Sequence, residues 1–134
     1  MIYFDTDVLV HYFVIQDLRK HLLAKKLYED ACLEGAFFIS LLTLQETAFV
    51  LSKLKMTGDE IAIKLSVFNV LSSVNYSFDE YLRASELCQK VGFHNINDCL
   101  HTAIAETYCQ QIHTFNQDDF KKIQKYTALE ISIL

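Results

Sequence analysis

Short apolar segments with the length of β-strands alternate along this chain with longer segments that have helical apolar periodicity. The strand-like segments are residues 1–4, 36–40, 111–114 and 129–134, with a shorter one at 74–76. The predicted helices are residues 7–13, 18–33, 41–54, 57–72, 77–91, 97–108 and 118–126. Because helices separate the strands, their connections are crossovers and the strands should run parallel. The sequence predicts an α/β fold, namely a three-layer α/β/α domain with a short, mainly parallel central sheet of four or five strands.

The composition favours one domain that spans residues 1–134. The chain is 51% hydrophobic and has 3 glycines and no proline, which favours a helix-rich core with short loops. Its four cysteines form no C-x-x-C pair, which indicates reduced and mostly buried thiols. The N-terminus lacks a secretory signal pattern, and no apolar stretch approaches the ~18 residues that span a bilayer. We therefore expect a cytoplasmic protein without a membrane segment.

Acidic and amide side chains follow predicted strands or begin predicted helices in four separate segments. They are Asp5 and Asp7, then Glu46, then Asp98, and finally Asn116, Asp118 and Asp119 in a polar turn. Each has an ordinary structural explanation, since Asp and Asn cap helices and favour turns. The T-x-x-E or S-x-x-E spacing at 43–46, 57–60 and 77–80 also matches capping boxes.

The same acids also have a shared chemical explanation. The carboxyl ends of parallel strands meet at one edge of a sheet, so Asp5 and the turn at 114–116 should lie together. Carboxylate oxygens are the preferred ligands of Mg²⁺. Acids from separate segments can thus build one pocket that holds one or two divalent ions. The residues alone leave helix capping and metal binding open.

The charge pattern limits the partners that the chain can bind. A net charge of -5 argues against non-specific, tight nucleic-acid binding but is compatible with phosphate contacts made through metal ions. It also suits a basic protein partner. The pair Lys25 and Lys26 and the cluster Lys121, Lys122 and Lys125 are the best candidates for phosphate contacts. The 5 histidines show no metal-binding spacing, and we interpret them as structural or exposed.

Taken in order, four segments of the chain resemble the PIN-domain family, and within it the VapC-like toxins of type II toxin-antitoxin systems. The segments are IYFDTDVLVHYF, SLLTLQETAFVL, INDCLHTAIAE and HTFNQDDF, and the resemblance extends over essentially the whole chain. It implies that Asp5, Glu46 and Asp98 are catalytic acids that bind metal. It also implies that Asn116 or Asp119 completes the metal site, with Asp119 a further catalytic acid.

The resemblance implies an activity and partners as well. The activity is that of a Mg²⁺- or Mn²⁺-dependent endoribonuclease acting on tRNA, rRNA or mRNA, with release of a 3′-hydroxyl and a 5′-phosphate. Thr6, Thr114 and Asn116 would position the substrate or a ligand. Asp7 stands where the family usually has Asn, so its place in the site is secondary. The implied partners are a small antitoxin with a basic segment and a second copy of the chain.

Two other functions fit parts of the pattern. A non-catalytic PIN-like or receiver-like module would keep the fold and use the acidic pocket only to bind a partner. A haloacid-dehalogenase-like phosphatase would use Asp5 as nucleophile, Asp7 as acid and base, and the pair Asp118 and Asp119 to hold Mg²⁺. Such phosphatases usually have longer chains and a downstream catalytic lysine segment, which this sequence does not show.

Overall fold

The structure, a computed structural model, describes residues 1–71 and 73–134. Its four strands are β1 (Ile2–Phe4), β2 (Phe37–Phe38), β3 (Gln111–Thr114) and β4 (Glu130–Ile133). Its seven α-helices in the described residues are α1 (Thr6–Phe13), α2 (Leu18–Leu33), α3 (Leu41–Lys53), α4 (Gly58–Leu65), α5 (Phe78–Val91), α6 (Ile96–Tyr108) and α7 (Gln117–Ile123). The predicted α/β architecture is confirmed.

The four strands form one sheet in the order β2-β1-β3-β4, and every pair is parallel. In the register of β1 and β3, Tyr3 lies opposite Ile112 and Phe4 lies opposite His113. The chain therefore leaves both central strands at the same edge, after Phe4 and after Thr114. The parallel order, predicted from the helical crossovers, places Asp5 and the turn after β3 side by side.

Alternation along β1 creates the two apolar cores on opposite faces of the sheet. Phe4 is buried with Leu9 of α1 and with small residues of α2. Tyr3 is buried on the other face with Ile104 of α6 and Phe120 of α7. Helices thus cover both faces, which gives the three predicted layers. None of the helices in residues 1–71 and 73–134 is long and apolar enough to cross a membrane.

Several predicted elements differ from the structure, and β2 covers only Phe37–Phe38 of the predicted segment 36–40. The segment 74–76 is not a strand, because only Val74 forms a bridge, to Ser40. Helix α4 ends at Leu65 and continues as a 3₁₀ turn at Ser66–Phe68, and the predicted helix end at Ser72 lies outside the described residues. Helix α7 likewise ends early and continues as a 3₁₀ turn at Gln124–Tyr126. Local hydrophobic periodicity does not separate 3₁₀ from α-helical turns.

Replacing Leu9 by Ala should destabilise the protein strongly, because the Leu9 side chain is fully buried between α1 and the sheet. A buried Leu→Ala change costs about 2–5 kcal/mol in the free energy of unfolding. Leu33→Ala is the matched control, since Leu33 is 88% exposed, and it should change that free energy by no more than about 0.5 kcal/mol. Urea unfolding measures both, and equal effects would contradict the assigned core.

Candidate functional site

The carboxyl edge of the sheet carries a cavity of about 300 Å³. Helices α1, α3 and α6 and the turn after β3 supply its polar walls. The acidic and amide residues that line it are Asp5, Asp7, Gln16, Glu46, Asp98 and Asn116. The structure therefore brings together residues from all four segments that the sequence singled out. Asp118 is exposed and does not line this cavity.

Asp5 links the two central strands at the base of the cavity. Its side chain is 4% exposed. One oxygen, Oδ1, accepts the backbone N–H of Thr6 at 2.7 Å, and Oδ2 accepts the hydroxyl of Thr114 at 2.8 Å. Asp5 therefore caps α1, as the structural explanation predicted, and also lies in the cavity beside β3. The two explanations of this residue are compatible.

Glu46 accepts hydrogen bonds from three side chains. Oε2 accepts the Thr6 hydroxyl and Nε2 of His101, each at 2.7 Å, and Oε1 accepts the Asn97 amide at 2.6 Å. Burial raises the pKa of Glu46, but these bonds and the charge of His101 outweigh it, so the pKa falls below its ordinary value. Glu46 is therefore held as a carboxylate with a fixed orientation.

The predicted capping box at 43–46 is wrong. Ser40 caps α3, and its hydroxyl accepts the backbone N–H of Thr43 at 3.2 Å, so Thr43 lies inside the helix. Glu46 is consequently three positions too far along the chain for the box and turns towards the cavity instead. The boxes predicted at 57–60 and 77–80 are both formed.

His101 is the residue of this site that the sequence did not single out. It is 1% exposed, and besides its bond to Glu46 its Nε2 lies 3.7 Å from Oδ1 of Asp5. Burial lowers the pKa of His101, but its contacts with Tyr3, Glu46 and Asp5 raise it well above the ordinary value. The sequence did contain a signal for His101. It follows Asp98 by three residues, so the two side chains lie on the same side of α6.

Tyr3 supports His101 from inside the sheet. Its hydroxyl lies 2.7 Å from Nδ1 of His101 and 2.6 Å from the Ser40 hydroxyl, and it accepts the Thr43 hydroxyl at 2.9 Å. These groups are buried, and a buried network in which every member has a partner is rigid. The network fixes the imidazole, and through it the carboxylate of Glu46.

Asp98 and Asn116 form the opposite wall of the cavity. The Asn116 amide donates to Oδ2 of Asp98 at 3.2 Å and to Oδ2 of Asp119 at 3.3 Å. Burial, and next the charge of Asp5, raise the pKa of Asp98 to about 7. Asp119 lies outside the cavity lining and bonds Lys122 at 3.1 Å. Of the two candidates for the fourth position, only Asn116 lines the cavity.

Asp7 is buried against the turn that follows β3. Its Oδ2 accepts the backbone N–H of Phe115 at 2.9 Å, whereas its Oδ1 is buried without a hydrogen-bond partner among the described residues. Burial, followed by the charge of Asp5, raises the pKa of Asp7 to about 8. In the metal-free chain this carboxyl group therefore holds its proton more strongly than an ordinary Asp does, and in its protonated form it is neutral like the Asn that the resemblance leads one to expect here.

The donor set limits the kind of metal ion that the site can accept. Within residues 1–71 and 73–134, no group of three or more His, Cys, Asp or Glu side chains is close enough to enclose an ion. A closed structural zinc site is therefore absent from this part of the chain. Mg²⁺ keeps several waters and binds proteins through one or two carboxylates. The carboxylate oxygens of the cavity and the unpartnered Oδ1 of Asp7 fit such an ion.

Asp98→Asn should stabilise the metal-free protein increasingly as the pH rises. In the folded chain the pKa of Asp98 is about 7 against an ordinary 3.8, so folding holds a proton that the unfolded chain releases. The stability linked to this proton is present below about pH 4 and is lost as the pH rises through about 7. The neutral amide in the Asp98→Asn variant does not titrate, so the variant does not lose this stability as the pH rises.

Urea unfolding in EDTA from pH 4 to 8 measures this linkage, with the exposed Glu34→Gln as control. The stability difference between Asp98→Asn and the wild type should rise across this range, while that of Glu34→Gln should stay flat. A constant difference for Asp98→Asn would show that its carboxyl is not destabilised by the site.

Comparisons with known proteins agree with the fold. The PIN domain family model matches residues 2–126. A chain from the crystal structure of VapBC2 from Rickettsia felis, bound to a DNA fragment from their promoter, is 20% identical with a TM-score of 0.71, and the match covers 100% of this chain and 99% of that one. VapC20 from Mycobacterium tuberculosis, a sarcin-ricin loop cleaving toxin, is 17% identical with a TM-score of 0.68, and the match covers 97% of this chain and 99% of that one.

No curated protein matches the sequence significantly. At these identities the solved structures establish a shared fold, and the family model establishes that this chain belongs to the PIN domain family.

Proposed function

We propose that this chain is a VapC-like toxin that hydrolyses RNA phosphodiester bonds as a metal-dependent endoribonuclease. The observation that carries the proposal is the convergence of Asp5, Glu46, Asp98 and Asn116 in one cavity at the carboxyl edge of the sheet. Membership of the PIN domain family supports it. The similarity in fold to VapC20, a sarcin-ricin loop cleaving toxin, agrees with it.

Asp5 and Asp98 are the residues that would hold Mg²⁺ or Mn²⁺ in this site. Burial and the negative charge of Asp5 raise the pKa of Asp98, so a cation between the two carboxyl groups would relieve their repulsion. When bound, such an ion activates an attacking water and offsets negative charge at the phosphate. Glu46, which already accepts three donors, would contact the waters of the ion.

The hydroxyl and imidazole groups act on the acids in this proposal. The Thr114 hydroxyl holds Oδ2 of Asp5, and the Thr6 hydroxyl holds Oε2 of Glu46. The proton on Nε2 of His101 points to the same oxygen of Glu46. Thr6, Thr114 and His101 therefore position carboxylates in this proposal, and the expected role of Thr6 and Thr114 in positioning the substrate or a ligand stays a prediction. Asn116 bridges Asp98 and Asp119 by donating to both.

A non-catalytic binding pocket is the second candidate function. It is favoured by the engagement of Asp5 and Glu46 with internal donors and by the lack of a three-ligand cluster among the described residues. The phosphatase alternative has less support. In the described part of the chain no lysine lines the acidic cavity, and Asp118 lies outside it, whereas that chemistry needs both a lysine and a second acidic pair.

The partners that we propose follow from the same family. A small antitoxin with a basic segment would be attracted by the net charge of -5 and by the acidic cavity. VapBC2 was crystallised as a complex with a DNA fragment from their promoter. A second copy of the chain is the other partner that the family resemblance implies.

Asp5→Asn should abolish RNA cleavage while the protein stays folded. Asn retains an oxygen that can cap α1, but the change removes the charge that would hold the ion. In the wild type, Mg²⁺ or Mn²⁺ should raise the melting temperature by linkage, and this shift should be lost in the variant. A fluorescent RNA substrate and thermal unfolding measure the two effects.

Asp118→Asn is the matched control for this experiment, because Asp118 is exposed and lies outside the cavity. It should keep both the cleavage activity and the metal-dependent stabilisation. It also separates the phosphatase alternative, which needs Asp118. Full nuclease activity of Asp5→Asn in the presence of metal would overturn the proposed function.

His101→Phe should lower kcat by about 10–100-fold, the effect typical of residues that orient metal-binding groups. Phe fills a similar volume but cannot donate to Glu46. Because His101 acts on Glu46 in this proposal and not on the RNA, the KM for RNA should change little. His113→Phe is a control for loss of a buried imidazole, since His113 is 7% exposed and packs against Phe4 away from the cavity. Steady-state cleavage kinetics distinguish them, and equal losses in both variants would indicate a structural effect.

A further inference from the structure

We propose that Lys20, Lys25 and Lys64, with the aromatic rings beside them, bind the phosphate backbone of single-stranded RNA next to the acidic cavity. We call this set the lysine-aromatic surface. It rests on the proposed function, because it assigns the path of the substrate that this function requires. The three lysines lie on α2 and α4, beside the C-terminal half of α1.

One end of the lysine-aromatic surface lies at the mouth of the acidic cavity. His11 lines that cavity, and its ring meets the Phe115 ring edge-on with centroids 5.1 Å apart. The Nζ atom of Lys20 lies 4.9 Å from the centre of the Phe115 ring. An aromatic face holds a cation without neutralising it. A positive charge is therefore kept at the mouth of the acidic cavity.

The other end is a second cavity of about 420 Å³. Tyr12 and Phe13 of α1 form part of its wall, and His21, Lys25 and Lys64 also line it. It is linked to the acidic cavity through two histidines, because His11 lines the acidic cavity, His21 lines the second one, and Nδ1 of His21 lies 2.8 Å from the backbone oxygen of His11. A strand that leaves the acidic cavity along α1 thus meets rings and ammonium groups together.

Two lysines of this surface, Lys20 and Lys64, differ in pairing from Lys26 and Lys122. Lys26 and Lys122 lie 2.5 and 3.1 Å from carboxylate oxygens, so these two predicted phosphate contacts are already neutralised. In contrast, within residues 1–71 and 73–134 neither Lys20 nor Lys64 forms a salt bridge. Lys25 has only a long contact of 3.9 Å with Glu29.

Asp17 and Glu60 interact with Lys20 and Lys64 through charge, but they accept hydrogen bonds from backbone groups. Asp17 accepts the backbone N–H groups of Arg19 and Lys20 at the start of α2. Glu60 accepts the backbone N–H of Thr57 in its capping box. The ammonium group of Lys64 instead donates to the carbonyl oxygen of Phe13 at 3.4 Å. Both lysines are thus held in place while their charges stay available to an anion.

This combination fits single-stranded RNA better than a protein partner. Cations that follow a backbone, together with rings that stack on bases, are the features that bind single strands. The antitoxin that we propose carries a basic segment, which the three lysines would repel. The lysines also explain how a chain with a net charge of -5 can bring a polyanion to an acidic site.

The test is RNA binding by an Asp5→Asn protein, which should fold without cutting. The triple change K20Q/K25Q/K64Q in this background is compared with K53Q/K55Q/K90Q, which removes the same charge from exposed sites outside both cavities. Each lost phosphate contact lowers the slope of log affinity against log salt by about 0.7. The first triple variant should lose about 2 from this slope, and the control should keep it.

K20Q alone should lose about 0.7 from the slope, which keeps the test valid if the triple variant unfolds. In a chain with Asp5 intact, the triple change should raise the KM for RNA and leave kcat unchanged. Cleavage with an unchanged KM and salt slope overturns the lysine-aromatic surface as an RNA site and assigns it to a protein partner. Salt-dependent RNA binding through these lysines without cleavage by the wild type overturns only the proposed nuclease function.

Discussion

The crowding of buried carboxyl groups at one edge of a parallel sheet is the constraint on which the rest of this site depends. The sheet order places Asp5 next to the end of β3, and helices α1, α3 and α6 add Asp7, Glu46 and Asp98. Burying such charges is costly unless each is paired, bonded or protonated. The protein uses all three solutions in one cavity.

Pairing, hydrogen bonding and protonation occur at different carboxyl groups, so the cavity has two sides that differ in charge. On one side, Glu46 is bonded to His101, whose pKa is raised, and its own pKa is lowered. On the other side, Asp7 and Asp98 have raised pKa values of about 8 and 7. On the first side, Glu46 and His101 form a fixed ion pair that requires no additional cation. The second side lacks positive charge, and this is where a divalent cation would contribute most.

Much of the fold could be predicted because helical crossovers force parallel strands, and parallel strands force the acids to one edge. The Glu46 side chain shows where local pattern fails. Its spacing from Thr43 matched a capping box, but Ser40 is three residues closer to the start and takes the cap. His101 was missed because its partners Tyr3 and Glu46 lie 98 and 55 residues away in sequence. The bridge at Val74 was overestimated because apolar β-branched residues favour strands even where only one residue pairs.

The most direct test of the central claim is the chemistry of the RNA ends that the purified wild-type chain produces with Mg²⁺ or Mn²⁺ and with EDTA. A site in which Asp5 and Asp98 hold a divalent ion should leave a 5′-phosphate and a 3′-hydroxyl on the cleaved RNA, and it should not cleave RNA in EDTA. Cleavage that persists in EDTA and leaves a 2′,3′-cyclic phosphate would contradict the account, because the cavity would then act without a metal ion.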